Sequence, residues 1–197
     1  MNKEATTDYE IMDLLKKRWS PRAFSDKIVE KETLGKLFEA AHWSASCYNE
    51  QPWRFIVATK ENQENYQKVF NCLVEGNQIW AKSAPVLVII IGKKTFTHNS
   101  QKNDWYQYDA GQSAAHLSVE AMKENLYVHQ MAGINKSLIK DEFKIPDDFE
   151  PIAGMAIGYL GDPNILPEGL KEKELEVRIR KSLKSLVFTG NWEENYF

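Results

Sequence analysis

The stretch "PVLVIIIG", residues 85–92, is an unbroken apolar run dominated by β-branched side chains. A strand with one face in water alternates apolar and polar residues, so a run without polar interruption predicts a central strand covered on both faces. Helices must then flank a sheet. Working outward, "WRFIVATK" (53–60) reads as a second strand, "PIAGMAIGYLG" (151–161) as a third apolar one, and "YVHQMAGIN" (127–135) as a short strand entering a Gly turn. Helical spacing of apolar residues predicts helices over 9–18, capped by Asp8 or Thr7, and over 30–44, 61–73, 104–126 and 137–143. Residues 163–173 read as a Pro-containing loop, and 174–197 as a tail too apolar to stand in solvent, which must dock on its own domain or a neighbour's. From spacing alone this is one α/β unit, a single domain over residues 1–197. The helix at 104–126 carries small residues (Ala110, Gly111, Ala114, Ala115, Ala121) almost all round, which suits the domain centre or a subunit interface.

Composition bounds the function. Hydrophobic residues make up 43% and charged residues 27%, an ordinary globular balance that argues against disorder. A formal net charge of −3 argues against nucleic-acid binding through bulk electrostatics, so any bound anion is small and locally held. The longest apolar run is well short of the ~20 residues a membrane span needs, and "MNKEATTDYE" is too polar for a signal peptide. A cytoplasmic location is expected. Cys47 and Cys72 have no metal-ligand spacing and are too few for a disulfide framework; His98, His116 and His129 are scattered, and no Walker-type or GxGxxG loop is present. No metal site is expected.

Two stretches carry the candidate chemistry. In "RWSPRAF" (18–24), Arg18, Ser20 and Arg22 alternate, so on an extended turn their side chains fall on one side and can converge on a phosphate. The plain alternative is that Arg18 caps a helix while Arg22 sits in solvent. In "SASCYNEQPWRF" (44–55), the primary amides of Asn49 and Gln51 suit the edge of a heterocycle displaying N–H and C=O groups, or else form a polar loop ahead of a core Trp53. The basic "RIRK" (178–181) either closes a second arc around the same anion or is the solvated face of a last helix. Cys47 near His42 lacks a distinct orienting acid and is a poor nucleophile candidate.

Taken in order, these stretches resemble the FMN-dependent nitroreductase family. The resemblance rests on R-x-S-x-R-x-F at Arg18, Ser20, Arg22 and Phe24, and on S-x-x-N-x-Q-P-W from Ser46 to Trp53. It continues through D-x-G-x-x-A at Asp109, Gly111 and Ala114, the Gly133 turn, "AIGYLG", and the basic cluster ahead of a terminal Trp. It implies an α+β fold with a central, mostly antiparallel sheet flanked by helices, in an intertwined homodimer with FMN sites at the interface. By the same resemblance Arg18, Trp19, Ser20 and Arg22 form the first flavin-contacting segment. Ala45, Ser46, Cys47, Asn49 and Gln51 reach the flavin from the other subunit, Met131, Ala132 and Gly133 lie beside the ring, and Arg180 and Lys181, with Arg178, complete the phosphate site. The chain departs from the family's pattern at Ala45, where Pro is usual, at Cys47, and in "VHQMAGIN"; around "EGNQIWAK" (75–82) the resemblance assigns no flavin contacts to particular residues.

The function so implied is an FMN-dependent oxidoreductase taking hydride from NADH or NADPH and reducing nitroaromatics, quinones or similar planar acceptors by alternating turns in one pocket, with no catalytic side chain of its own. The altered loops leave two alternatives: a flavin-binding protein without productive turnover, or a relative running a different flavin reaction, desaturation or dehalogenation. Neither nucleic acid nor membrane is expected as a partner.

Overall fold

The computed structural model describes residues 3–197. Four strands form one sheet in the order β1-β2-β4-β3: β1 (Trp53–Thr59), β2 (Val86–Lys93), β3 (Tyr127–Met131) and β4 (Phe149–Gly158). Every pairing is antiparallel. The α/β unit read from spacing alone is thus replaced by the antiparallel α+β arrangement that the resemblance implies. Helices separate β2 from β3 and β3 from β4; β2 and β3 run in the same direction but are not neighbours, because β4, running the opposite way, lies between them.

The run at 85–92 is the inner strand β2, with Val86 through Ile91 all buried. Its pleat divides the core in two. Leu87, Ile89 and Ile91 face one layer with Tyr66, Val69, Leu73, Trp80 and Ile139; Val86, Val88 and Ile90 face the other with Leu34, Leu37, Ala41, Ala114 and Leu117. Each buried Leu or Ile contributes about 1.5–3 kcal/mol, so β2 cannot slip by one residue without exchanging two filled layers. Opposite faces carry different helices. The first layer holds α3 (Gln63–Asn71), α4 (Glu75–Ala81) and α6 (Lys136–Glu142), and the second holds α2 (Lys31–His42) and α5 (Tyr106–Lys123).

Several expected boundaries shift. The helix expected over 9–18 is reduced to α1 (Asp13–Lys17), which starts after Met12 with neither Thr7 nor Asp8 as cap; it buries no residue, so nothing pins the upstream turn. The helix expected over 104–126 is α5, and it buries one face, including Asp109, Ala110, Ser113, Ala114 and Leu117, while Tyr108, Gly111 and Ala115 stay exposed. Residues 163–173 are not a loop: a 3-10 turn over Pro163–Ile165 leads into α7 (Glu168–Leu175), because Pro167 occupies the N-cap, where a missing N–H costs no hydrogen bond. Helix α4 falls in the region 75–82, where the sequence suggests nothing definite.

The tail beyond α7 is extended at first, makes a 3-10 turn over Leu183–Ser185, and then folds back on itself with Phe188 bridging antiparallel to Asn195. Val177, Ile179 and Trp192 are 86%, 82% and 83% exposed, so in the single chain the tail covers no core of its own. No helix among the described residues is long and apolar enough to cross a membrane.

Candidate functional site

The segment 18–24 leaves α1 and is fastened down along the β3 side of the sheet. Phe24 is buried against Trp80, Ser25 N–H donates to Tyr159 O (3.0 Å), and Gly161 N–H donates to Ala23 O (2.9 Å). A Cβ at Gly161 would lie 2.5 Å from the Phe24 carbonyl, so only glycine permits this approach. Trp19 turns inward, its ring edge-on to Tyr127 with the Lys3 ammonium over its face. From β3, His129 Nδ1 meets Pro21 O at 2.8 Å while its ring lies 4.4 Å from that of Trp80. A carbonyl partner requires that nitrogen to carry the proton. Burial, and to a lesser degree the Arg22 charge, lower the His129 pKa to about 4, so the ring is neutral at pH 7.

The arginines of this segment part company. Arg18 is held below the ordinary guanidinium value first by burial, then by the charges of Arg178 and Arg180; Arg178 is lowered by burial and by Arg180. Three cations from opposite ends of the chain therefore sit close enough to repel. Arg178 is anchored by donating from Nη1 to Lys3 O (2.7 Å) and Lys16 O (2.8 Å), which fixes the tail's first residues against α1. Arg180 and Lys181 stand exposed, on an extended segment rather than on the last helix that "RIRK" could have formed. Arg22 turns instead to the buried Glu174, with Nη1 3.9 Å from Oε2. Alternation along 18–22 thus does not bring Arg22 to the Arg18 cluster, because a carboxylate in α7 claims it.

At the far end of β3, Met131 is buried, Ala132 exposed and Gly133 half-buried. Helix α4 presses on this turn: Gly133 O accepts from Asn77 Nδ2 (2.9 Å) and from Val74 N–H (3.1 Å). A Cβ on Gly133 would lie 2.6 Å from both the Asn77 Nδ2 and a Val74 methyl.

The second group lies across the sheet. Residues 45–51 run into β1, the edge strand opposite β3. Tyr48, Asn49 and Gln51 hold φ of 52°, 54° and 51°, a left-handed backbone that costs non-glycine residues about 1–3 kcal/mol each. Surrounding groups hold it: Cys47 N–H donates to the buried Asp109 carboxylate (3.0 Å) and Gln51 N–H to Ser46 Oγ (3.0 Å), while Arg54 donates to Gln51 O (3.0 Å). Burial raises the Asp109 pKa, partly offset by the Cys47 N–H. Asp109 thus supports the backbone of Cys47 from α5. Ala45, Tyr48 and Asn49 are exposed; Gln51 Nε2 turns back to Asn49 O (2.9 Å).

One chain therefore assembles two half-sites. Arg18, Trp19, Ser20, Arg22, Met131, Ala132 and Gly133 lie on the β3 side, with Arg180 near enough for its charge to act on Arg18, while Lys181 stands exposed beside it on the tail; Ala45, Ser46, Cys47, Asn49 and Gln51 stand on the β1 side, with β2 and β4 between. Within one chain the two sets do not meet. The β3 half suits a phosphate-bearing cofactor, since the charges acting on Arg18 are those of two further arginines and an oxyanion relieves that repulsion. No group of three His, Cys, Asp or Glu among the described residues is placed to hold a metal ion. Sequence reasoning missed Glu174, His129 and Asn77 as parts of this site; Glu174 binds a backbone 151 residues away, and no local pattern signals that.

Residues 15–159 match the nitroreductase family. A crystal structure described as an oxidoreductase containing FMN superposes with a TM-score of 0.90 at 36% identity, covering 99% of this chain and 98% of that one. A 15.4 kDa protein of uncharacterised function from Mycolicibacterium smegmatis is 30% identical over 146 residues, 71% of this chain and 97% of its own length. A Methanothermobacter thermautotrophicus protein, provisionally named an NADH dehydrogenase/NAD(P)H nitroreductase, is 32% identical over 81 residues, 41% of this chain and 40% of that protein. With a matched span that takes in the segment after Arg18, the strained loop, α5 and all four strands, the chain belongs to the nitroreductase family.

Proposed function

We propose that the protein is an FMN-dependent oxidoreductase that takes hydride from NADH or NADPH and reduces nitroaromatics, quinones or similar planar acceptors, working as a homodimer. The observation that carries this reading is that Arg178 from the tail donates to Lys16 O (2.8 Å), two residues before Arg18, which gathers cations from both ends of the chain with their charge left to balance. FMN, when bound, supplies the two-electron chemistry. The chain's own residues bind and orient: Arg18, Arg178, Arg180 and Lys181 hold the phosphate with Ser20 beside them. The main chain at Met131–Gly133 borders the ring, and Ala45–Gln51 of a second copy complete the pocket from above. The neutral His129 keeps the segment in place without adding charge. The FMN-containing structure and the nicotinamide name of the archaeal protein support the cofactor and the donor.

Purified protein saturated with FMN and titrated anaerobically with each nicotinamide tests this directly. Bleaching by one of them, followed by reoxidation on adding a quinone or nitroaromatic, is the expected result; a flavin that stays oxidised under excess of both overturns the donor assignment. Replacing Arg18 and Arg178 together by Ala removes two charge-assisted contacts worth about 1.5–3 kcal/mol each. FMN affinity should fall at least a hundredfold, and wild-type affinity in that variant would refute the phosphate assignment.

A further inference from the structure

Glu174 sits in the last turn of α7 with its side chain 1% exposed. Its Oε1 accepts from the backbone N–H groups of Arg22 (2.8 Å) and Ala23 (3.1 Å), while Oε2 has no hydrogen-bond partner among the described residues and lies 3.9 Å from Arg22 Nη1. Its own main-chain oxygen accepts from Lys3 Nζ (2.6 Å). Just beyond it the chain turns out into the extended segment that carries Arg178 and Arg180. One buried carboxylate therefore ties the segment bearing Arg18 to the base of the segment bearing its two cationic partners.

We propose that Glu174 is the positioning residue of the anion site: it joins the two halves of the cationic cluster and withholds Arg22 from it. The inference rests on the phosphate reading of that cluster. A buried carboxylate costs several kcal/mol in desolvation unless it is paired and hydrogen-bonded, and here the pairing goes to the backbone of Arg22 and Ala23 and to the Arg22 guanidinium. The sign of the effect separates positioning from plain electrostatics. Removing a negative charge near a site for an anion strengthens binding if charge is all that matters. Removing the tie lets the Arg18 segment and the Arg178 segment separate, and binding weakens.

The experiment compares wild type, Glu174→Gln and Glu174→Ala by FMN affinity, read from quenching of flavin fluorescence, and by hydrogen exchange at the Arg22 and Ala23 amides in the absence of FMN. The amide oxygen of Gln still accepts from both N–H groups. We expect Glu174→Ala to bind FMN at least tenfold more weakly with faster exchange at residues 22 and 23, and Glu174→Gln to restore affinity to within about threefold of wild type. Equal or tighter binding by Glu174→Ala overturns the inference, as does a Gln variant no better than Ala. Should the Ala variant fail to fold, Glu174→Asp, one methylene too short to span both N–H groups, takes its place with the same expectations. If wild type itself binds no FMN, the phosphate reading falls, while amide exchange still decides whether Glu174 fastens the segment.

Discussion

His129 makes the fold acid-sensitive at one identifiable place. Its imidazole is lowered to about 4 from an ordinary 6.5, chiefly because burial penalises the charged form and secondarily because Arg22 is near. The unfolded chain takes up a proton near pH 6.5 while the folded chain resists until about pH 4. The native state is therefore at full strength above about pH 6.5, loses ground as pH falls through that window, and reaches the full loss below about pH 4. A difference of about 2.5 pH units corresponds to roughly 3 kcal/mol at the acid end and roughly 1 kcal/mol near pH 5.5. Replacing His129 by Phe keeps a ring against Trp80 but removes both the titration and the hydrogen bond to Pro21 O. Urea unfolding of both proteins at steps between about pH 8 and pH 4.5 isolates the effect. Carboxylates elsewhere titrate in both and cancel in the difference. The wild type should hold an advantage of roughly 1 kcal/mol from its Pro21 hydrogen bond near neutrality, and that advantage should shrink and then reverse as pH falls. A wild-type-minus-variant difference that stays constant across the range would refute the assignment of a buried neutral imidazole.

Three other expectations test the site's supports. Gly133→Ala should lower stability by about 1–3 kcal/mol because its Cβ meets Asn77 and Val74; adding Asn77→Ala should cost less than the sum of the single effects, read by thermal melting. Asp109→Ala removes the acceptor for Cys47 N–H, so the left-handed stretch at 48–51 should loosen and the Cys47 thiol should label several-fold faster, whereas an unchanged labelling rate would show the strain is held elsewhere. Gly111→Leu adds a side chain on the exposed face of α5, where nothing lies within 4 Å in the single chain; the monomer tolerates it, and sedimentation should show dissociation if a second copy packs there.

The layers were legible in the sequence for a physical reason. Apolar residues in an inner strand see hydrocarbon on both faces, so "PVLVIIIG" announced β2, and the spacing of Leu34, Leu37 and Ala41 announced the buried face of α2. Short elements were harder. Helix α1 buries no residue and therefore leaves no periodicity sharp enough to place its start, and α7 buries Glu174 in place of an apolar stripe. Composition also yielded the candidate cations, and the order of motifs yielded the family.

What the sequence by itself determined is which residues must leave water, and which charged and amide groups are available for binding, because both depend on side-chain chemistry and local spacing. Tertiary structure alone decided how those groups are partnered. Arg18, Ser20 and Arg22 alternate as if bound for one ligand, yet Arg18 meets Arg178 and Arg180 while Arg22 is taken by Glu174. It also set 45–51 and 131–133 on opposite edges of the sheet, with β2 and β4 between them. The energy of a charge depends on which charges surround it and how far water is excluded, and chain separations above a hundred residues carry no record of either until the fold closes.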